Sequence, residues 1–411
     1  MLGLILFLAL STLIFIVRFT SQYKKPSPAL ALTHRNLDQR TQTTEPWNGN
    51  LASMGHVNSD ETTAHTSYMA SHAISKLPTG TRPSYLAEGG ANIVYRFSIP
   101  NDIASSITPH GDGQQRASRK LLRLRKHIDS GTPYPDTVNN FDRYVRPMFD
   151  DHELVDQELV RLPRGFIAYC NEQLRADEAR NLRPQGRRGV YLAVREPFGL
   201  MITDMTPAPG SGECLWEFKP KWLLQSPSAP SDAKRCRTCA LREMKNYNAR
   251  EAGNSEKQSF CPLDLVSDNF EDVLRATRFI RGGHGRARVA AFLYRNSTLL
   301  KLQACQRQMN AVGLPGLQAH FRERAISMTL RDCTMFVKVP RDELEPLEAR
   351  LGDLDFKSGI GGKLRYWRET EKRLIEEGWY SGNRKDQEFS ECSLQGPRRD
   401  LGTSAEAITE Q

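Results

Sequence analysis

Apolar and polar residues alternate in two ways along this chain. A period of two marks several strands. EGGANIVYRFSIP (88–100) sets Ile93, Tyr95, Phe97 and Ile99 against Asn92, Val94, Arg96 and Ser98, a glycine turn entering a strand. KLLRLRKHI (120–128) alternates Leu122 and Leu124 with Arg123 and Arg125, so both arginines share a face. FGLMITDMTP (198–207) is an apolar strand ending at Asp204. ECLWEFKPKW (213–222) puts Cys214, Trp216 and Phe218 on one face and ends at Pro220, which cannot donate to a sheet ladder. ISMTLRDCTMFVKVP (326–340) reads as one long strand with Asp332 in its middle. GDLDFKSG (352–359) reads as another, with Asp353, Asp355 and Lys357 on one face.

Helical spacing appears elsewhere. HELVDQELVRLP (152–163) predicts a short amphipathic helix from Leu154, Val155 and Leu159. CPLDLVSDNFEDVLRATRFI (261–280) predicts a turn and then a helix capped by Asp268 or Asn269. NSTLLKLQACQRQMNAVG (296–313) and KLRYWRETEKRLIEEGWY (363–380) predict two more amphipathic helices.

These elements set the domain organisation. Residues 26–78 are rich in Ser, Thr, Asn, Pro and Ala with little periodicity, which predicts a disordered linker, and 384–411 predicts a similar tail. The folded part divides into 79–208, carrying the glycine turn and a cationic strand, and 209–383, carrying the acidic motifs. Residues 1–25 form a hydrophobic N-terminal segment. Its core, LGLILFLALSTLIFIV (2–17), is short for a membrane span, and its positive charges, Arg18, Lys24 and Lys25, follow it. The positive-inside rule then predicts a signal anchor with the folded part in the cytosol; a hydrophobic start with no targeting role is the alternative.

The formal net charge of +9 favours a polyanionic partner. Nucleic acid is disfavoured, because no recognised motif appears and aromatic residues do not interleave with the basic clusters. The eight cysteines are scattered, as suits a reducing compartment. Cys236 and Cys239 form a C-x-x-C, but a zinc site needs two further ligands and none is evident nearby, so no metal is expected there.

Candidate chemistry concentrates at three places. Glu217, Lys219 and Lys221 gather at a strand mouth, where lysines neutralise phosphoryl oxygens and a carboxylate orients a lysine or touches a nucleotide. Asp332 in R-D-C-T and the D-x-D of DLDFK suit phosphoryl transfer: one aspartate positions the attacking hydroxyl, another holds magnesium, and a lysine binds phosphate.

The order GGAN, KLLRLRK, E-F-K-P-K (217–221), R-x-C with a downstream lysine, PLDL (262–265), RDCT (331–334) and DLDFK (353–357) resembles the inositol-pentakisphosphate 2-kinase family, its fungal branch most closely. The resemblance covers most of residues 79–383. It implies an α+β, two-lobed, distantly kinase-like fold and transfer of the ATP γ-phosphate to the 2-hydroxyl of inositol 1,3,4,5,6-pentakisphosphate, giving phytate. It implies that Gly89, Gly90, Ala91 and Asn92 cover the nucleotide. Arg123 takes the place of the N-lobe lysine of protein kinases, Asp204 lies at the hinge, and Glu217 and Lys219 reach ATP. Lys219, Lys221, Arg237, Lys245 and Lys357 hold substrate phosphates. Asp332 is the base, with Lys219 beside it in the catalytic machinery, and Asp353 binds Mg2+. The implied enzyme is a monomer of the cytoplasm or nucleus, held at a membrane if residues 2–17 are an anchor.

The sequence departs from the family in places. Lys357 is followed by Ser358 and Gly359 where the family continues with proline and basic residues; Lys363 or Tyr366 would have to substitute. RGGHGRARVAAF (281–292) lacks the paired asparagines of plant members, leaving Arg286 and Arg288 as phosphate ligands, and the histidine and cysteine zinc cluster of plant members is not evident. These departures keep a second reading open: a degenerate kinase that binds inositol phosphates or acidic phospholipid without chemistry.

Overall fold

The computed structural model describes residues 74–99, 120–128, 132–309, 313, 321–359, 362–382 and 392–395. The apolar run at 2–17 lies outside these residues. Among the described residues no helix is long and apolar enough to cross a membrane.

The first half of the folded chain builds a six-stranded sheet. Its strands are β1 (Ser75–Lys76), β2 (Arg82–Glu88), β3 (Asn92–Ser98), β4 (Lys120–Arg125), β5 (Gln157–Arg161) and β6 (Phe198–Thr203), in the order β1-β5-β6-β4-β3-β2. All pairings are antiparallel except β1 with β5. The alternation in β3 and β4 decides which face is covered. Ile93, Tyr95, Leu122 and Leu124 pack against Phe166, Ile167, Cys170 and Leu174. Those four belong to α2 (Phe166–Ala179). The opposite face takes α1 (Tyr134–Tyr144), whose Tyr134 and Val138 meet Leu159, Phe198 and Leu200. Arg123 and Arg125 share that second face, which turns them toward the rest of the molecule.

The second half builds a three-stranded antiparallel sheet, β7 (Cys214–Phe218), β8 (Thr334–Val339) and β9 (Glu348–Gly352), in that order. Five helices lie between or after these strands: α3 (Arg237–Glu251), α4 (Phe270–Thr277), α5 (Arg286–Leu293), α6 (Ser297–Gln308) and α7 (Phe321–Leu330), with α8 (Lys363–Glu376) closing the fold. Trp216, Phe218, Met335, Val337 and Val339 join Val273, Val289, Leu299, Leu302 and Leu330 in the largest core. Gly282 lies flat on Trp216, where an added Cβ would come within 2.0 Å of the indole ring. The α3–α8 pair encloses a smaller core of Ala240, Met244, Leu374, Trp379 and Tyr380.

The mixed α+β class read from the sequence is what the chain adopts. The caps follow residue chemistry: the Asn269 side chain accepts from Glu271 N at 3.1 Å and Asn296 from Leu299 N at 3.1 Å, each satisfying an orphan amide of a first turn. The two halves join where Leu154 bridges Leu351 in parallel and Val155 N donates to Leu351 O at 2.8 Å. Phe141 and Val145 also reach across, into the larger core.

Several expectations fail. HELVDQELVRLP is a short 3-10 turn followed by β5, not a helix. Leu159 packs into the core with Tyr134 and Val138, and Val160 into the core on the opposite face, so this short strand is buried on both sides and shows no alternation that would tell it from a helix. The run 326–340 is split: residues through Leu330 complete α7, where Thr329 Oγ1 bonds back to Ala325 O at 2.8 Å, and only Thr334–Val339 is strand. Asp332 therefore lies in the turn between them. DLDFK is not a strand either; β9 ends at Gly352, and Asp353 has a φ of 55°. The glycine turn links β2 to β3 and so enters a strand as read. The folded part begins by Ile74, and within the expected tail Cys392 is buried and Ser393–Gln395 form a 3-10 turn.

Candidate active site

Three segments far apart in sequence deliver their charges to one cleft. The first follows β7, where Pro220 ends the strand and Lys221 takes a left-handed φ of 60°. The second is the α7–β8 turn with Asp332. The third is the segment after β9, which begins with Asp353 in the left-handed region as well. Side chains other than glycine rarely adopt that region, and such residues persist only where their surroundings over-determine them. Here Gln306 does so for Lys221. Its buried side chain accepts from Leu223 N at 2.9 Å and donates to Lys221 O at 2.8 Å and Leu330 O at 3.0 Å, tying the lysine loop to the aspartate turn.

The charges then interlock. Lys219 Nζ donates to the Asp332 carbonyl oxygen at 2.7 Å and to Asp353 Oδ2 at 2.6 Å. Lys221 Nζ donates to Asp332 Oδ1 at 2.8 Å. Lys357 Nζ lies 3.5 Å from Asp332 Oδ2 and 4.0 Å from Asp353 Oδ1. Partial burial favours a protonated Asp332, but Lys221, Lys357 and Lys219 outweigh it and hold this carboxyl far below the ordinary carboxylate range. Burial lowers Lys219, yet Asp353 and Asp332 prevail and raise it. For Lys221 the balance is reversed: recession into the cleft, with Lys219 and Lys357 beside it, keeps it below the ordinary lysine value despite Asp332. Glu217 opens to solvent at the cleft edge, and desolvation by the walls raises its carboxyl.

The six-stranded sheet supplies the other wall. Arg123 projects from β4 and grips both oxygens of Asp355, with Nη1 to Oδ1 at 2.9 Å and Nη2 to Oδ2 shorter. The Asn92 amide oxygen lies 3.2 Å from Arg123 Nε, and its nitrogen lies 3.0 Å from the Tyr134 hydroxyl. The GGAN turn is anchored from beneath: Gly89 N donates to Asn92 O at 2.9 Å, Lys126 N to Ala91 O at 2.8 Å, and Lys126 Nζ to Gly89 O at 2.9 Å. Lys126 and Arg183 both pair with the buried Glu88 at the turn's base. Neither Gly89 nor Gly90 is required by internal packing, since a Cβ at either would meet nothing nearer than 4.0 Å. Asp204 directly follows β6, with its Oδ1 accepting from Thr206 N at 2.8 Å and Thr206 Oγ1 at 2.6 Å.

Arg237, the first residue of α3, is held by Glu371 at 2.7 Å and lies 4.4 Å over Trp222. Arg331 stacks on the same ring at 4.4 Å. Two guanidiniums thus flank one indole next to the Lys221 loop, and burial with Arg237 nearby lowers Arg331 to about 10. Lys245 is exposed about 12 Å along the α3 axis from Arg237, given the rise of an α-helix, and outside the lysine–aspartate cluster. Arg288 is engaged by Pro340 O at 3.1 Å and Glu345 O at 2.8 Å, while Arg286 is exposed.

A family model described as inositol-pentakisphosphate 2-kinase matches residues 85–282 and 285–373. The chain belongs to the inositol-pentakisphosphate 2-kinase family. The match spans both sheets apart from β1 and the start of β2, both cleft walls and every motif on which the resemblance rested. Among curated relatives, the inositol-pentakisphosphate 2-kinase of Yarrowia lipolytica is 30% identical over 335 residues, covering 75% of this chain and 96% of that protein. The protein of the same name from Debaryomyces hansenii is 23% identical over 394 residues, covering 73% and 93%. That from Eremothecium gossypii is 28% identical over 179 residues, covering 40% of this chain and 55% of its own length.

Several positions that hold the site together escaped the sequence reading. Asp355 was visible as half of a D-x-D, but not as the partner of Arg123. Glu88, Lys126 and Arg183 carried no local motif. Gln306 lies on an ordinary amphipathic helix, and only its complete burial distinguishes it.

Proposed function

We propose that this chain is an inositol-pentakisphosphate 2-kinase, transferring the γ-phosphate of ATP to the 2-hydroxyl of inositol 1,3,4,5,6-pentakisphosphate. One observation carries the reading: three lysines from two separate segments converge on Asp332 and Asp353 at one cleft. A pentakisphosphate brings on the order of eight to ten negative charges, given second phosphate pKa values near 6. Lys219, Lys221 and Lys357 are the cations placed to receive it, with Arg237 behind them and Lys245 further along α3.

In this reading Asp332 positions the 2-hydroxyl and accepts its proton. It is a weak base while three ammonium groups face it. Substrate phosphates draw those ammoniums away, which raises its basicity when the hydroxyl is in place. Phosphoryl transfer passes through a loose transition state that asks mainly for alignment and charge neutralisation, so a modest base suffices. Lys219 bridges the two aspartates and neutralises the transferring phosphoryl. Gly89, Gly90, Ala91 and Asn92 cover the nucleotide, and the open space above both glycines admits phosphates close to the backbone. Arg123 takes the β-phosphate side, while Asp204 and Glu217 face the nucleoside.

The donors available for a divalent ion are carboxylate oxygens of Asp353, with Asp355 alongside, a hard set suited to Mg2+. Bound there with ATP, Mg2+ would neutralise phosphate charge. The second reading, a binding module without chemistry, has less support, because Lys219, Asp332 and Asp353 are all present and mutually engaged.

The test is acceptor selectivity. The 1,3,4,5,6-pentakisphosphate, whose free hydroxyl is at position 2, should be phosphorylated, and an isomer whose only free hydroxyl lies elsewhere should not. Equal turnover of both would overturn the assignment of the position.

A further inference from the structure

Two consecutive pairs of residues clasp each other at the floor of the cleft. Lys221 and Trp222 lie on the loop after β7; Arg331 and Asp332 lie on the turn between α7 and β8. On the cleft side Lys221 Nζ donates to Asp332 Oδ1 at 2.8 Å. On the buried side the Arg331 guanidinium lies 4.4 Å over the Trp222 ring, and the Arg237 guanidinium, from the start of α3, lies 4.4 Å over it as well. The lysines account for the charge offered to a substrate; they do not account for a buried tryptophan flanked by two arginines. We propose that Trp222 and Glu371 are positioning residues: together they fix the Arg237 guanidinium at a set offset from Asp332, so that the phosphate Arg237 holds brings the reacting hydroxyl to the aspartate. The proposal rests on the kinase reading above, in which Arg237 holds a substrate phosphate.

Trp222 is itself immobilised. Gln306 pins the backbone on both sides of it, through Lys221 O at 2.8 Å and Leu223 N at 2.9 Å, and Leu223 O accepts from Gln303 Nε2 at 3.1 Å. The residue is 8% exposed. Arg331 is buried on the aspartate turn, with Nη1 donating to Ser327 O at 3.0 Å and Nη2 to Gln306 O at 3.2 Å. The indole is therefore a fixed plate, placed by the same helix, α6, that holds the aspartate turn.

Arg237 is held against that plate from several directions. Its Nε donates to Glu371 Oε2 at 2.7 Å, its backbone N donates to Gln225 Oε1 at 3.1 Å, and its guanidinium lies on the ring. Glu371, buried on α8, is fixed in turn by Ser226 Oγ at 2.5 Å and the Tyr380 hydroxyl at 2.6 Å, both donating to its Oε1. Among the described residues neither terminal nitrogen of Arg237 donates to the protein, so the fork that suits a phosphate is left for a ligand.

An aromatic ring is the side chain this arrangement needs. Two guanidiniums stacked on one residue repel each other where water is excluded, and the negative face of the indole attracts both. The repulsion shows in Arg331, whose hold on its proton is weakened by burial and then by Arg237. An aliphatic side chain fills the space without that attraction and leaves Glu371 alone to hold the guanidinium. A displaced phosphate grip carries the whole inositol ring with it, and a misplacement of about 1 Å costs on the order of 10² in rate.

The test uses the full chain. Binding of inositol 1,3,4,5,6-pentakisphosphate and of ATP is measured separately by calorimetry, with turnover alongside and thermal melts to show that each variant is folded. Trp222→Met fills much of the indole space without an aromatic face. Its affinity for the pentakisphosphate should fall by roughly tenfold or more, while its affinity for ATP changes by less than about twofold. Trp222→Phe restores a ring face and should recover most of the loss. Glu371→Gln keeps the ring and an acceptor for Ser226 and Tyr380 but removes the charge facing Arg237. It should weaken pentakisphosphate binding by roughly threefold or more, again sparing ATP, and it decides the matter if Trp222→Met does not fold. Unchanged pentakisphosphate affinity in either folded variant, equal losses for both ligands, or no recovery in Trp222→Phe would overturn the proposal. A parent that binds the pentakisphosphate without phosphorylating it would contradict the kinase reading, and the affinity differences would still decide whether Trp222 and Glu371 position Arg237.

Discussion

Lys221 Nζ lies 2.8 Å from Asp332 Oδ1, and it reaches there from a backbone held at a φ of 60°. The loop could relax if glycine stood at this position, but the ammonium would be lost. The cost of a left-handed residue is roughly 1–2 kcal/mol. Lys221→Gly should therefore unfold no earlier than the parent in thermal melts, while the KM for the pentakisphosphate rises at least tenfold. A lowered melting point with unchanged KM would show that the lysine serves the fold alone.

The opposite balances at Lys221 and Asp332 predict the pH profile. Asp332 is held below its ordinary 3.8, so it stays ionised through the range in which a free aspartate would protonate, and no loss of activity is expected from it there. Lys221 is held below its ordinary 10.5, so raising pH strips its charge earlier than for a free lysine and weakens substrate binding. Lys221→Arg should move that alkaline limb of kcat/KM to higher pH. An unmoved limb would assign it to another group.

Arg123 and Asp355 join the two cleft walls with a bidentate pair that is 11% and 26% exposed. Breaking a fully buried pair costs about 3–5 kcal/mol; with Asp355 partly open, Arg123→Met should destabilise by roughly 1–3 kcal/mol and raise the KM for ATP. Asp355 is depressed in the folded state because Arg123 and Lys357 outweigh its burial. Its contribution is therefore complete above the unfolded value near 3.8 and is lost as pH falls through the lower folded one. Urea midpoints of Asp355→Asn should show a shallower decline on acidification than those of the parent.

Gln306 touches no expected substrate, yet Gln306→Leu leaves Leu223 N and Lys221 O without their partner and Leu330 O with only the weak Cys333 thiol donor. Stranded buried groups cost about 1–3 kcal/mol each, partly recovered by relaxation, so a loss of roughly 3 kcal/mol is expected. A positioning role predicts more: among molecules still folded at low temperature, KM for the pentakisphosphate should rise while KM for ATP holds. Equal changes in both would make the residue purely structural.

The site was more legible than the fold around it. E-F-K-P-K, R-D-C-T and D-L-D-F-K announced their chemistry through residue type and order, and the charges from all three do meet. The backbone that presents them was misread. Asp332 and Asp353 sit among β-branched and apolar residues that suit a strand, and only long-range packing turns one into a helix-to-strand turn and the other into a left-handed bend. HELVDQELVRLP failed for a related reason: a five-residue strand buried on both sides shows no alternation. The cysteines were misread because proximity in sequence was taken for proximity in space: Cys261 and Cys392, 25 and 156 residues from Cys236, complete a buried group of four with Cys239.

The central claim is phosphoryl transfer directed by Asp332 and Lys219. It is tested most directly by incubating the full chain with ATP, Mg2+ and inositol 1,3,4,5,6-pentakisphosphate and separating the products by anion exchange, alongside Asp332→Asn with its substrate affinity measured by calorimetry. The account predicts inositol hexakisphosphate from the parent, and in the variant a kcat lower by roughly 10²–10⁴ with the pentakisphosphate still bound. Binding by the parent without hexakisphosphate, or undiminished turnover by Asp332→Asn, would contradict it.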